Sequence, residues 1–150
     1  MNPALIKAVV DMIKEISALC KAALDAADPN KYAKSVNELN DGVSDTYSEM
    51  RQIIVNNDSF TPEEKLRRLE ELGDKEQEAK RICGEAIKGN RESVTKVVMS
   101  ILTGFLTCGV SFAPSIAKKF KFAITSKEQL PETVIDEVVV IDESQISVVE

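Results

Sequence analysis

The chain has 150 residues, with 19 Lys or Arg against 25 Asp or Glu for a formal net charge of −6, and it contains neither tryptophan nor histidine. The missing histidine removes the commonest general base and metal ligand near neutral pH. No glycine-rich phosphate loop, nucleophile elbow or metal-binding repeat compensates for it, so the chain reads as non-enzymatic and without a cofactor or metal.

Three helices are expected before residue 90. Pro3 opens the first, in which Leu5, Val9, Met12, Ile16, Leu19, Ala23 and Ala26 follow alternating spacings of four and three. A second seam, Ile6, Val10, Ile13, Cys20 and Leu24, lies beside it, with Lys7, Asp11, Lys14, Lys21 and Asp25 on the opposite face. Asp28 before Pro29 is an acidic N-cap followed by proline at the first helical position. The second helix then carries Tyr32, Val36, Leu39, Val43, Thr46, Met50 and Ile53 at the same spacing and is expected to stop at Asn56-Asn57-Asp58. Thr61-Pro62-Glu63-Glu64 has the form of a capping box and starts a third, more polar helix with a thin stripe of Leu66, Leu69, Leu72, Ala79, Ile82, Cys83 and Ala86. Its acid pairs Glu63-Glu64 and Glu70-Glu71 lie beside Lys65, Arg67, Arg68 and Lys75, a pattern of solvated ion pairing. Gly89 reads as its C-terminal cap and Asn90 as the next N-cap.

From Val97 to Ala117 no residue carries a formal charge, a run of 21 residues. As one helix it would cross a hydrocarbon core about 30 Å thick. Leu102, Phe105, Leu106 and Phe112 would take up lipid or core burial, and Thr103, Thr107, Ser111 and Ser115 recur every four residues as a helix-packing stripe. The same run would serve equally as the central helix of a globular bundle, with Gly104 and Gly109 admitting close neighbours and Pro114 ending or kinking it. Charge favours a membrane surface. Residues 1–79 balance to −6, 80–127 to +7 and 128–150 to −7, and the basic segment brackets the apolar run. Lys118, Lys119 and Lys121 would reach anionic headgroups. The cations are split by the apolar run and no nucleic-acid motif accompanies them, so nucleic acid is not an expected partner.

Beyond Pro131, β-branched residues alternate with acids, and Val134 to Ile141 favours extended structure. Such a strand must pair with itself, pair with a partner's sheet edge, or stay disordered. Val138-Val139-Val140-Ile141-Asp142-Glu143-Ser144, a short apolar strand followed by acids and serine, resembles a SUMO-interacting motif. The resemblance covers seven residues. It implies a protein partner captured by Val138, Val139, Val140 and Ile141 through strand addition to a ubiquitin-like sheet. Folding of the acidic tail across the basic segment is the intramolecular alternative.

Cys20, Cys83 and Cys108 are widely spaced and sit on apolar faces, as buried thiols in a reducing setting do. Charged residues from Lys7 onward break any secretory signal pattern, so a cytoplasmic location or the cytoplasmic side of a membrane is expected. Together these features describe an all-α protein, an antiparallel bundle of three long helices plus a hydrophobic fourth, with an acidic, extended or weakly β tail. Residues 1–90 would form the bundle, 91–123 the hydrophobic helix with basic flanks, and 124–150 the tail. Two functions fit: a membrane-associated helical protein that oligomerises to anchor at or permeabilise a bilayer, or a four-helix scaffold or adaptor that binds a protein partner in part through its tail.

Overall fold

The computed structural model of the protein describes residues 2–118 and 133–149. Four helices make the body: α1 (Pro3–Asp25), α2 (Pro29–Asn56), α3 (Pro62–Ile87) and α4 (Glu92–Thr107). The first three starts follow one local rule. Proline occupies the first turn, where its missing N–H costs nothing, and the residue before it accepts a free main-chain N–H. Asn2 accepts from Leu5, Asp28 from Asn30 and Thr61 from Glu64. The Thr61 box is only half made, because the Glu64 carboxylate accepts from the Arg68 guanidinium one turn on, at 3.0 Å. The fourth start departs from expectation. Arg91, and not Asn90, is the N-cap of α4, and it makes no side-chain cap. Its guanidinium stacks over the Tyr32 ring at 5.0 Å and donates to Ala26 O, tying together the start of α4, the end of α1 and the start of α2.

The helices close into a ring, α1 on α2, α2 on α3, α3 on α4 and α4 on α1, with short connections that make successive helices antiparallel neighbours. Every residue of the α2 seam is buried, and Tyr47 and Ile54 join it. On α1 both seams contribute, the first burying Val9, Ile16 and Ala23 and the second Ile6, Val10, Ile13 and Cys20, while Leu5, Met12, Leu19 and Leu24 are only partly covered. α3 is the thin member, burying Leu72, Ala79, Cys83 and Ala86 and leaving Leu66 61% exposed. Buried polar groups find main-chain partners. Tyr32 donates to Ala86 O, a carbonyl of the last turn of α3, at 2.7 Å, and Tyr47 donates to Ser100 O at 3.2 Å. Between α2 and α3, one Arg51 terminal nitrogen reaches both oxygens of Glu76 at 2.9 Å.

The apolar run does not form one helix. α4 stops at Thr107, where Cys108 N–H donates to the Gly104 and Phe105 carbonyls and Gly109 takes a φ of 86°. That left-handed conformation is open to glycine at little steric cost and ends the helix. The chain continues as strand β1 (Val110–Phe112), and a helical turn then covers residues 114–118. No helix among the described residues is long and apolar enough to cross a membrane.

The tail also departs from expectation. Thr133–Val139 is a short helix, α5, followed by a 3-10 turn at Glu143–Gln145 and strand β2 (Ile146–Val148). The predicted strand over Val134–Ile141 is not formed. Ile135 and Val138 on α5 are buried, as is Ile141 just beyond its end, and α5 packs on α1 and α4, so helical burial overrides the β-propensity of the segment. Strand character survives only at the end. β2 pairs antiparallel with β1 in the register Val110↔Val148, Ser111↔Ser147, Phe112↔Ile146.

Candidate functional site

The residues singled out in the sequence fall in several environments. Leu102 and Phe105 lie in the core at 1% and 0% exposure, Phe112 is buried from β1, and Leu106 faces outward, half exposed. The hydroxyl stripe is divided. Thr103 and Thr107 lie on α4 and donate back to their own helix, to Ser100 O and Thr103 O, whereas Ser111 lies exposed on β1 and Ser115 exposed in the following turn. Lys118 is exposed, and Lys119 and Lys121 lie outside the described residues. Of the proposed partner strand, Val138 and Ile141 are buried, Val139 is partly covered, and Val140 alone is exposed. Within the segment that resembles a SUMO-interacting motif, Val138 and Ile141 are therefore turned onto the protein's own bundle, while Val140 faces outward.

Nor does the tail neutralise the basic segment among the described residues. Asp136 pairs with Lys21 on α1 at 2.6 Å. Hydrogen bonds from Ser144, with a weaker effect from Lys14 of α1, hold the Asp142 carboxyl below its ordinary range. Both lysines lie on α1, outside residues 80–127. The three thiols are buried. Burial drives Cys20 far above its ordinary pKa and lifts Cys83 to about 11 and Cys108 to about 12, and all three are free thiols.

What the sequence did not single out is a groove of about 490 Å³ at one end of the bundle, within the range of ligand pockets, roughly 300–1,000 Å³. Its walls are the start of α1 (Asn2, Leu5), the last turns of α2 (Glu49, Ile53), the α2–α3 loop (Asn57, Asp58) and Val148 and Val149 of the tail. The loop is held in place. Asn57 donates its amide to Val149 O at 3.0 Å and accepts from Ser59 N–H at 2.9 Å, and Phe60, buried beneath the loop, stacks under Arg68 with the guanidinium carbon 4.1 Å from the ring centre. Arg68 also donates to Thr107 O at 2.8 Å, placing a cation at the C-terminus of α4, where the helix dipole favours it.

On the strand bordering this groove Val148 is the open position of the outer edge, since the Ile146 N–H donates to Glu143 O and Val149 O accepts from Asn57. Ala113 N–H donates to Gln145 O and Val149 N–H to Gly109 O, at 2.8 and 3.0 Å. Since hydrogen-bonded pairs alternate along an antiparallel ladder, the Val110–Val148 pair is a non-bonded one, and both main-chain groups of Val148 point away from β1. Val148 lines the groove, and no residue of β1 does. Among the described residues, no lysine or arginine lines it, and the carboxylates of Glu49 and Asp58 are its charged groups. Two signals for it stand in the sequence: the Asn56-Asn57-Asp58 stop, and the apolar–polar–apolar alternation of Ile146-Ser147-Val148, matched by Val110-Ser111-Phe112.

Fold and site together define an all-helical bundle closed at one end by a two-stranded sheet. No family model, no curated protein and no solved structure matches the chain.

Proposed function

We propose that the protein is a non-enzymatic helical scaffold that binds a protein partner at its surface. The observation that carries this reading is the placement of Phe105. The apolar side of α4 is spent on contacts within the bundle, with Phe105, Ile101 and Leu102 at 1% exposure or less. Inserting this segment into a bilayer would require the bundle to open and would uncover the facing residues of α2, Tyr47 and Met50 among them, which is costly because their burial is a main source of stability. Support for a binding role over a catalytic one comes from the absence of histidine in the sequence and from the burial and protonation of the three cysteines.

Flotation of the intact protein with anionic liposomes, with and without a high-salt wash, tests the reading. Protein that stays monodisperse in the bottom fraction is the expected result. Salt-resistant flotation would overturn it, and would mean that the Val97 to Ala117 segment leaves the core for the bilayer.

A further inference from the structure

We propose that the groove between the start of α1, the end of α2 and strand β2 receives an extended, lysine- or arginine-bearing segment of a partner protein, which pairs with the outer edge of β2 at Val148. The proposal rests on the partner-binding reading above and names its site and the chemistry of the ligand.

Three observations converge. The Val148 N–H and C=O are directed away from β1, and no described residue bonds to them, so a strand laid beside β2 would exchange two main-chain hydrogen bonds at that position. Side chains of an added strand alternate between faces, so alternate residues of the guest would pack on Leu5, Ile53 and Val148 while main-chain bonds supply affinity. The charge lining the groove is of one sign, from Glu49 and Asp58, both exposed at its mouth, and the protein's net charge of −6 adds a field that draws cations.

Charge also decides between occupants. A second copy of the chain could pair β2 with β2 about a two-fold axis, yet this would bring the acidic walls of two grooves against each other, and like charges placed together are unfavourable. A basic foreign strand meets no such penalty.

The test uses the full chain and a fluorescein-labelled, end-capped peptide of alternating Lys and Val, about eight residues long to match a typical strand. Fluorescence anisotropy should show saturable binding. N-methylation of the peptide main chain, which removes its donors, or replacement of every Lys by Glu, which sets like charges against Glu49 and Asp58, should weaken binding roughly tenfold or more. On the protein, Val148→Pro removes an N–H that the β1 ladder does not use and should have the same effect, proline being tolerated where a strand N–H faces outward. Because that variant could disturb β2, the Glu49→Gln/Asp58→Asn double variant, altered only at exposed side chains, serves as the second probe. It should bind more weakly and with less dependence on salt. Equal binding of the Glu peptide, indifference to N-methylation, or binding unchanged in both variants would overturn the proposal. So would a concentration-dependent dimer abolished by Val148→Pro, which would assign the edge to a second copy. The two readings fail separately: a protein that floats loses the scaffold role, whereas one that stays at the bottom and ignores the peptide loses only this groove.

Discussion

Replacing Phe105 by alanine tests the central placement in the fold, with Leu106 as its internal control. The two are neighbours on α4, but Phe105 is fully buried and Leu106 is 50% exposed. Truncating a buried phenylalanine costs about 3–5 kcal/mol, the spread reflecting how far the surroundings collapse into the cavity. Collapse is obstructed here. A Cβ on Gly104 would already stand 2.9 Å from Met50 Sδ and 3.2 Å from a Tyr47 ring carbon, so α4 and α2 are in close contact and cannot approach further to fill the void. A cost near the upper end, about 4–5 kcal/mol, is therefore expected. Leu106→Ala removes a side chain only half withdrawn from water and should cost about 1 kcal/mol. The measurement is urea unfolding followed by far-UV circular dichroism. With a slope of about 2 kcal/mol per molar, the midpoint should fall by about 2 M for Phe105→Ala and about 0.5 M for Leu106→Ala, with the slope unchanged. Against a total stability of about 5–15 kcal/mol, the first loss could leave the protein largely unfolded at 37 °C. Equal and small shifts for the two variants would refute the reasoning, because a membrane-facing or loosely attached α4 would not distinguish them.

The Arg51–Glu76 pair should give acid sensitivity of defined sign. The hydrogen bond from Arg51 lowers the Glu76 pKa below its ordinary 4.5 despite opposing burial, so its stabilisation is fully present above pH 4.5 and is lost as pH falls through the lower folded value. Glu76→Gln should cost about 1 kcal/mol at neutral pH, after allowance for the partly exposed Arg51, and should flatten the dependence of stability on pH below 4.5; an unchanged acid profile would count against the pair. A thiol reagent at pH 8 should modify none of the three cysteines in the native protein and all of them in denaturant, because burial raises all three pKa values, Cys83 to about 11 and Cys108 to about 12. By the same linkage, stability should decline above about pH 8.5, where the unfolded chain releases thiol protons that the folded one retains. Fast labelling of the native protein would refute the buried placement.

The long helices were legible because their evidence is local. The α2 seam repeats with the helical period for seven positions, and its caps announce both ends. The end of α4 was not, since a chargeless run gives no polar signal where the chain turns, and the decision at Gly109 depends on Phe60 arriving from another element to pack against it, 2.8 Å from where a Cβ would stand. The tail shows the opposite failure. Its β-branched residues favour a strand by propensity, while Ile135 and Val138, three apart, mark the helical face that packs on α1 and α4. The groove is assembled from three stretches of the chain, and the outward main-chain groups of Val148 are visible only once the β1–β2 register is known. Its component turns could be read from the sequence; their meeting could not.

The pairing of β1 with β2 joins Val110 to Val148 across the intervening chain. During synthesis at about 5–20 residues per second, β1 would emerge roughly 2–8 s before its partner. Through that interval, α1 to α4 can assemble from contacts already made, but Phe112 has no strand beside it and the ladder side of β1 stands open. The nascent chain thus passes through a state with an unpaired strand edge at the base of a nearly complete bundle, a template for association with other chains. Arrival of Ile146-Ser147-Val148 ends that vulnerability by pairing with β1.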